Sequence, residues 1–272
     1  MSTWAQVVLA IVGGAAVLAG IGWAGLQVRP ANLPPVTDEA RDLGMVVTGV
    51  DVPAPVQRYF YAAYGDQAPR IESLVVYGRA RANFGIWLPL RYRLIHRPGQ
   101  AFERHMEVTW FGWPVLRAID RYVDGKGMTG PVNNVATGPA VDQGANLILW
   151  AEAPLMPSLW LIDNRIRWEA VDDNSARLVF PYNDGEDELM VHFDPASHLI
   201  ARISAMRYRD MQSGKIPWHA DFLTWKTVNG AQVPARIAIT WEDQGKPWSY
   251  WDLENYYWNV DIEQLIARRA GA

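Results

Sequence analysis

The stretch from Gly144 to Ile162, GANLILWAEAPLMPSLWLI, decides the fold, and Glu152 is its only ionisable side chain before Asp163. A helix over residues 144–153 would carry apolar side chains all round its axis. Such a helix is buried, because a surface helix keeps one polar face toward water. We therefore predict that it plugs a curved sheet formed by the segments on either side of it.

These segments alternate between apolar and polar residues, which is typical of strands with one buried face. Turn residues such as Asn183-Asp-Gly and Asn229-Gly separate them at regular intervals. The pattern predicts a mainly β domain over residues 51–260, an incomplete antiparallel barrel of about ten to eleven strands. The predicted strands lie near 71–82, 86–96, 101–111, 115–124, 165–171, 176–181, 187–194, 199–208, 216–228, 232–242 and 247–258.

Both ends of the chain differ from this domain. Residues 1–28 contain no charged side chain, and Trp4 and Trp23 flank their apolar centre. Their length and flanking aromatic residues predict a transmembrane anchor that contacts the bilayer through residues 4–28. A cleaved signal peptide is the alternative, since small residues near Gly22 could offer a cleavage site. Residues 29–50 are predicted to be a linker, and residues 261–272 a C-terminal helix.

The composition limits the classes of function. A net charge of -4, from 25 basic and 29 acidic side chains, gives no basic stripe for nucleic acid. The absence of cysteine excludes disulfides and thiolate metal sites. His105 with Glu107, and His219 with Asp221, each provide two possible metal ligands where a site needs at least three. We therefore expect no metal and no other cofactor.

Glu152 is the main candidate for a functional residue. A carboxylate inside an apolar helix is costly unless it is paired. It would either pair with an inward arginine, such as Arg207 or Arg236, or form the polar end of an apolar cavity. The 14 tryptophans of the chain could line that cavity or pack in the core. No catalytic residue is expected, and the predicted ligand-binding residues are Trp150, Glu152, Arg207 and Trp218.

Five short segments carry a family resemblance: PVQRYF at 55–60, AEAPLMPSLW at 151–160, RYRD at 207–210, PW at 217–218 and GAQVPA at 230–235. With them, the chain from about Pro53 to Tyr257 resembles a family of uncharacterised bacterial proteins that have one N-terminal membrane span. The predicted architecture is also similar to the lipoprotein-carrier fold, in which an incomplete barrel wraps helices and shelters acyl chains. The segment FDPASHLIARI at 193–203 is similar to a strand-turn-strand step of those carriers.

The resemblance and the pattern together predict an envelope protein that crosses the bacterial inner membrane once, with a periplasmic domain that binds a lipid, an acyl chain or another amphipathic molecule. The alternative is a non-catalytic structural or protein-interaction module of the envelope. A third possibility is an enzyme in which Glu152 and His219 do acid and base chemistry. A carrier requires an apolar cavity of several hundred Å³ behind the helix. A scaffold requires close packing there and an exposed apolar patch elsewhere.

Overall fold

A computed structural model describes residues 3–209 and 214–263 of the 272-residue chain. It confirms the mainly β fold, because thirteen strands within the described residues form one antiparallel sheet. Of the predicted C-terminal helix, residues 264–272 lie outside the described residues. The backbone N–H of Glu263, just before them, donates to the Asp261 carboxylate at 2.9 Å, as in a helix cap.

The chain begins with helix α1 (Thr3–Gln27), strand β1 (Met45–Val47), helix α2 (Ala54–Tyr64) and strand β2 (Gln67–Pro69). Next come strands β3 (Leu74–Asn83), β4 (Trp87–Arg97), β5 (Ala101–Trp110), β6 (Trp113–Val123), β7 (Lys126–Pro131) and β8 (Ala136–Thr137). Helices α3 (Pro139–Ala151) and α4 (Leu159–Ile162) follow, separated by a 3-10 turn at Ala153–Leu155. The remaining strands are β9 (Arg167–Asp172), β10 (Ser175–Tyr182), β11 (Gly185–Phe193), β12 (Ile200–Tyr208), β13 (Lys215–Val228), β14 (Ala231–Trp241) and β15 (Lys246–Trp258).

The large sheet consists of two meanders joined along one pair of strands. Strands β3 to β8 run in sequence order toward one edge, and β15 back to β9 run toward the other. Local turns make the hairpins: Asn229 and Gly230, for example, have φ values of 46° and 84°, which suit a two-residue hairpin turn. The pairing of β3 with β15 joins residues far apart in the chain, such as Arg81 and Tyr250.

The sheet extends two strands beyond the eleven that the sequence predicted. Strand β7 contains Lys-Gly-Met-Thr-Gly-Pro, whose glycines and proline have low strand propensity. It forms because six of its residues pair with β6, in a register that begins at Val123 and Lys126. The short strand β8 pairs in turn with β7. Here the pairing of neighbouring strands outweighs local propensity.

Helix α3 is the buried helix that the sequence predicted. Pro139 stands in its first turn, where a missing N–H costs nothing. The helix contacts β6, β7 and β8 near one edge of the sheet and β10, β11 and β12 near the other. The sheet therefore curves around α3. The helix lies between the two edges of the sheet, which do not pair with each other. Helix α2 adds a second buried stripe with Val56, Tyr59 and Phe60, each fully buried, against β10 and β14.

The N-terminal segments lie against the outside of the sheet. Leu33 and Val36, in the predicted linker, pack on a small outer cluster that includes Val75 and Ile95. Helix α1 is long and apolar enough to cross a membrane, and Gly25 is its one buried residue among those described. It contacts β4 and β5, so its C-terminal end lies beside the first meander.

Candidate functional site

A cavity of about 230 Å³ lies between α3 on one side and strands β5, β6, β7 and β12 on the other. Its wall is mostly apolar and includes Phe102, Met128 and Ile148. The polar groups in its lining are Asp120, Arg121, Thr129, Arg207, Tyr208 and Arg209. An apolar wall with a few convergent polar groups is the usual character of a small-molecule site.

A wider groove of about 1030 Å³ lies along strands β9 to β13 and is lined largely by charged side chains. These side chains pair with one another, as Arg177 does with Glu169 at 3.2 Å and Arg167 does with Glu186. Such pairing is ordinary for the solvent-facing side of an antiparallel sheet. The smaller cavity beside α3 is the better candidate, because it combines an apolar wall with a partly buried cation.

That cation is Arg207 on β12. Its guanidinium lies over the rings of Trp218 and Trp241, at 5.4 and 5.6 Å from their centroids. The α3 backbone approaches closely here, since a Cβ at Gly144 would stand 2.9 Å from Arg207 Nε. Burial lowers the pKa of Arg207 to about 10, although the Asp120 carboxylate acts to raise it. The side chain therefore stays charged at neutral pH.

Arg207 lacks an ion-pair partner within residues 3–209 and 214–263. Its Nε is buried without a hydrogen-bond acceptor, and no described carboxylate lies within ion-pair distance of the guanidinium. Arg121 and Arg209, at the same cavity, are paired with Glu103 and Asp243 at 3.9 and 2.8 Å. A partly buried charge without an ion-pair partner is costly, and this distinguishes Arg207 from the two paired arginines at the cavity.

Glu152 follows the last residue of α3 and, unlike Arg207, has an ion-pair partner on the inner face of the sheet. The partner is Arg104 on β5, whose Nη2 donates to Glu152 Oε1. Arg104 Nη1 donates to Asp120 Oδ2 at 3.2 Å, and the Thr129 hydroxyl donates to the other Asp120 oxygen. The guanidinium also lies 5.2 Å from the Trp251 ring centroid. Burial raises the pKa of Glu152, and the Arg104 charge opposes that rise.

The structure thus makes the arginine pair that the sequence predicted for Glu152, but with a different arginine. Arg207 lines the cavity rather than pairing with Glu152, and Trp218 lies under its guanidinium without lining the cavity itself. Arg236 is exposed and lies 3.6 Å from Asp252. Because Asp120 lines the cavity and also binds Arg104, Glu152 is connected to the cavity wall through two ion pairs.

Two other predicted residues lie away from this cavity. Trp150 is 1% exposed and stacks on Phe180, with ring centroids 5.6 Å apart, so it packs in the core. His219 contacts Asp221 at 3.2 Å and Glu242 at 2.6 Å. On β13 it alternates with the inward Trp218, so it faces the other side of the sheet from Glu152. Glu152 and His219 are therefore not assembled into an acid and base pair.

The sequence interpretation missed Arg104 and His96. Alternation could have placed them on the inner face, since Arg104 lies between Phe102 and Met106 in the period of two. A polar residue in an apolar stripe looks like a break in the pattern, and this is why the two were overlooked. No group of three or more His, Asp or Glu side chains that could hold a metal ion occurs within the described part of the chain.

His96 on β4 joins Glu152, Arg104 and Asp120 in one inner polar cluster. It is fully buried and stacks on Phe102, and its Nε2 lies 3.8 Å from Glu152 Oε2. Neither ring nitrogen has a hydrogen-bond partner within the described residues. Burial lowers the pKa of His96 from 6.5 to about 3, and the Arg104 charge acts in the same direction.

His96 is expected to make the fold sensitive to acid. Its folded pKa is depressed, so its contribution to stability is present above pH 6.5 and is lost as the pH falls toward 3. At pH 5 the loss is about 2 kcal/mol, at about 1.36 kcal/mol for each pH unit. Urea unfolding of the full chain in a nonionic detergent would measure it. His96→Phe keeps a ring against Phe102 but cannot titrate, so its stability should fall less with pH, and an equal fall would contradict the assignment.

The fold and the cavity define a class of protein: an unclosed antiparallel half-barrel whose concave side holds a buried helix beside a small cavity. The chain belongs to the family of unknown function DUF6544, which matches residues 49–253. This confirms the predicted membership of an uncharacterised family. No curated protein matches the chain.

Several solved structures have a similar fold. A LolA superfamily protein from Nitrosomonas europaea is 9% identical, with a TM-score of 0.48, over 80% of this chain and 97% of that one. An outer membrane lipoprotein-sorting protein domain from Vibrio parahaemolyticus is 8% identical, with a TM-score of 0.44, over 74% and 91%. A DUF1329 family protein from Desulfovibrio piger is 11% identical, with a TM-score of 0.41, over 70% and 87%. The likeness concerns architecture alone, and no residue role carries over from it.

Proposed function

We propose that the protein is anchored in a membrane by α1 and that its half-barrel, within residues 51–260, binds an amphipathic anion in the cavity beside α3. Arg207 receives the acidic head group, and the apolar wall holds the adjoining part of an acyl chain. The observation that carries this proposal is the charged Arg207, which lines an apolar cavity without a carboxylate partner in the described residues. A bound anion would supply that partner.

The cavity volume limits how much of a ligand can be enclosed. Its volume of about 230 Å³ is smaller than the several hundred Å³ that we expected for a carrier, and it is below the roughly 300–1,000 Å³ of pockets that enclose a drug-sized molecule. It therefore suits a head group with a short length of chain, with the rest of the ligand outside. Arg121 and Arg209 line the same cavity but are each paired with a carboxylate, so the charge available to the head group is that of Arg207. A fatty acid or a lipid with an acidic head group has the required chemistry.

The proposed location follows from α1. We place α1 in the bacterial inner membrane as a single pass, with the half-barrel on the periplasmic side. The 25-residue helix has no charged side chain and an apolar centre, which supports a span. The linker after it contains two arginines, Arg29 and Arg41, and three acidic residues, Asp38, Glu39 and Asp42. The flanking charge therefore gives no strong bias toward the cytoplasm.

Binding of a dansyl-labelled fatty acid to the full chain in phosphatidylcholine nanodiscs tests the proposal. Energy transfer from tryptophan should exceed that of empty nanodiscs, because Trp218 and Trp241 lie under Arg207. Arg207→Met should weaken binding at least about tenfold, the cost of one hydrogen bond to a charged group. The matched control is Arg202→Met, which removes an exposed arginine of the same strand.

A second variant tests the cavity itself. Gly144→Leu places a side chain against Arg207 and should abolish binding while the arginine remains, with the fold checked by circular dichroism. If Arg207→Met and Gly144→Leu both bind the probe as tightly as the native chain, the cavity is not the site. The function would then be the alternative one, a structural or protein-interaction module of the envelope.

A further inference from the structure

Two neighbouring hairpins of the sheet end in exposed apolar side chains, which we call the aromatic tips. They comprise residues 84–86, between β3 and β4, and residues 110–116, which include the end of β5, the turn after it and the start of β6. Trp113 is 73% exposed and Phe84 is 68% exposed. The other exposed apolar side chains of the tips are Ile86, Trp110, Phe111, Val115 and Leu116. A contiguous patch of this kind marks an interaction surface.

Both tips lie at the same end of the half-barrel. Strand β4 pairs with β3 and with β5 in antiparallel fashion, so the turn before β4 and the turn after β5 are side by side. The opposite end carries polar turns, such as the one at Asp124 and Gly125 before Lys126, whose side chain is 79% exposed. This turn at the opposite end is therefore polar, in contrast to the tips.

The tip at residues 110–116 is joined to helix α1. Trp110 Nε1 donates to the Gly22 carbonyl at 3.0 Å, and the Phe111 backbone N–H donates to the Gly25 carbonyl at 2.9 Å. The Trp110 ring lies so close that a Cβ at Gly25 would stand 2.1 Å from its Nε1. The position of this tip along α1 is therefore set by direct contacts.

The length of α1 places these contacts at the level of a membrane interface. Its 25 residues extend about 38 Å at 1.5 Å per residue, and the hydrocarbon core is only about 30 Å thick. The helix is therefore about 8 Å longer than the core, so its last turn can lie among the head groups. Trp23, which is 57% exposed, stands there as an interfacial aromatic. The tip that binds Gly22 and Gly25 shares this level.

Three basic side chains near the tips are already paired. Arg117 and Arg91 both bind Glu107, at 3.2 and 2.7 Å, and Arg29 binds Glu254 at 3.0 Å. The pairing reduces the attraction of these three to anionic lipid, and the exposed rings are the groups that favour transfer out of water.

We infer that the aromatic tips insert into the head-group layer of the bilayer that α1 crosses. The half-barrel then stands on the membrane with this end toward the lipid, and its position does not depend on the linker alone. The occupant of the apolar patch is the lipid surface rather than a second protein, because the patch continues directly from the apolar helix. This inference rests on the membrane anchor in the proposed function.

Single-cysteine labelling tests the inference, since the chain has no cysteine of its own. Phe84→Cys, Trp113→Cys, Lys126→Cys and Val12→Cys would each carry an environment-sensitive fluorophore in the full chain, reconstituted in pure phosphatidylcholine vesicles. Labels at 84 and 113 should emit at shorter wavelength than the label at 126 and be quenched by lipids with a nitroxide at the head group. Raising the salt concentration should not reverse this shift, because the association is apolar.

The label at Val12 separates the two proposals. If it is buried in lipid while the labels at 84 and 113 remain as accessible to aqueous quencher as the label at 126, the anchor stands and the tip insertion is overturned. A protein partner would then be the occupant of the tips. If the label at Val12 is also in water, the anchor fails and tip insertion fails with it. To exclude an effect of the label, Val115→Cys can be compared with and without Trp113→Ser, which should reduce its quenching by lipid.

Discussion

Arg104→Met is expected to lower the free energy of unfolding by about 3–5 kcal/mol at neutral pH, as breaking a buried ion pair from one side does. Arg104 has a side chain that is 9% exposed and holds Glu152 and Asp120 together. Its loss leaves two partly buried carboxylates near one another without a cation. Urea unfolding of the full chain in a nonionic detergent, followed by tryptophan fluorescence, would measure the change in midpoint at constant slope.

The pH dependence of this deficit identifies its cause. Burial raises the pKa of Glu152 above its ordinary 4.5, and without Arg104 the pKa should rise further. A carboxyl with a raised folded pKa contributes stability that is present below its unfolded pKa and is lost as the pH rises through its folded pKa. The deficit of Arg104→Met should therefore be smaller near pH 5 than near pH 7.

Arg202→Met is the matched control for Arg104→Met. Arg202 also pairs with a carboxylate, Asp221, but its side chain is 44% exposed. Exposed pairs contribute about 0–1 kcal/mol. If the two variants lost equal stability, the buried cluster around Arg104 would not have the structural role that we assign to it.

Trp150→Ala is expected to destabilise the fold by about 3–5 kcal/mol, the usual cost of truncating a buried large aromatic side chain. Trp150 stands on α3, is 1% exposed and stacks on Phe180, and the Arg165 guanidinium lies 5.3 Å from its ring centroid. The cavity left by truncation would open where α3 meets the second meander. The same unfolding experiment applies.

Two further tryptophan variants make this prediction specific. Trp150→Phe should cost much less than Trp150→Ala, because the indole N–H has no hydrogen-bond partner within the described residues. Trp113→Ala, at a position 73% exposed, should change stability by no more than about 0.5 kcal/mol. Equal losses for Trp150→Ala and Trp113→Ala would show that α3 does not support the core.

The strands and the buried helix could be predicted because their signals are local. In β11, Leu189, Val191 and Phe193 are buried and alternate with more exposed residues, so a period of two is visible without the fold. The unbroken apolar character of α3 likewise shows that both its sides are covered. Strand β7 escaped prediction because its own residues favour a loop and only its pairing with β6 makes it a strand.

The candidate site could be predicted only in part. The expectation that Glu152 needs an arginine follows from the cost of a buried charge, which is a property of the residue and its neighbours in sequence. Which arginine it meets does not follow, because Arg104 is 48 residues away and reaches Glu152 only once β5 packs on α3. Folding also determines the position of Arg207, which lies over Trp218 and lines the cavity without pairing with Glu152.

The sequence by itself determined the apolar N-terminal helix, the alternating strands and the buried helix, since each is set by side chains within a few residues of one another. Only the tertiary structure decided that β3 pairs with β15, that Arg104 takes Glu152, that Arg207 lacks a partner among the described residues, and that Trp110 meets α1. Each of these joins residues far apart in the chain. Their distances depend on strand register and on the curvature of the whole sheet, which no single segment encodes.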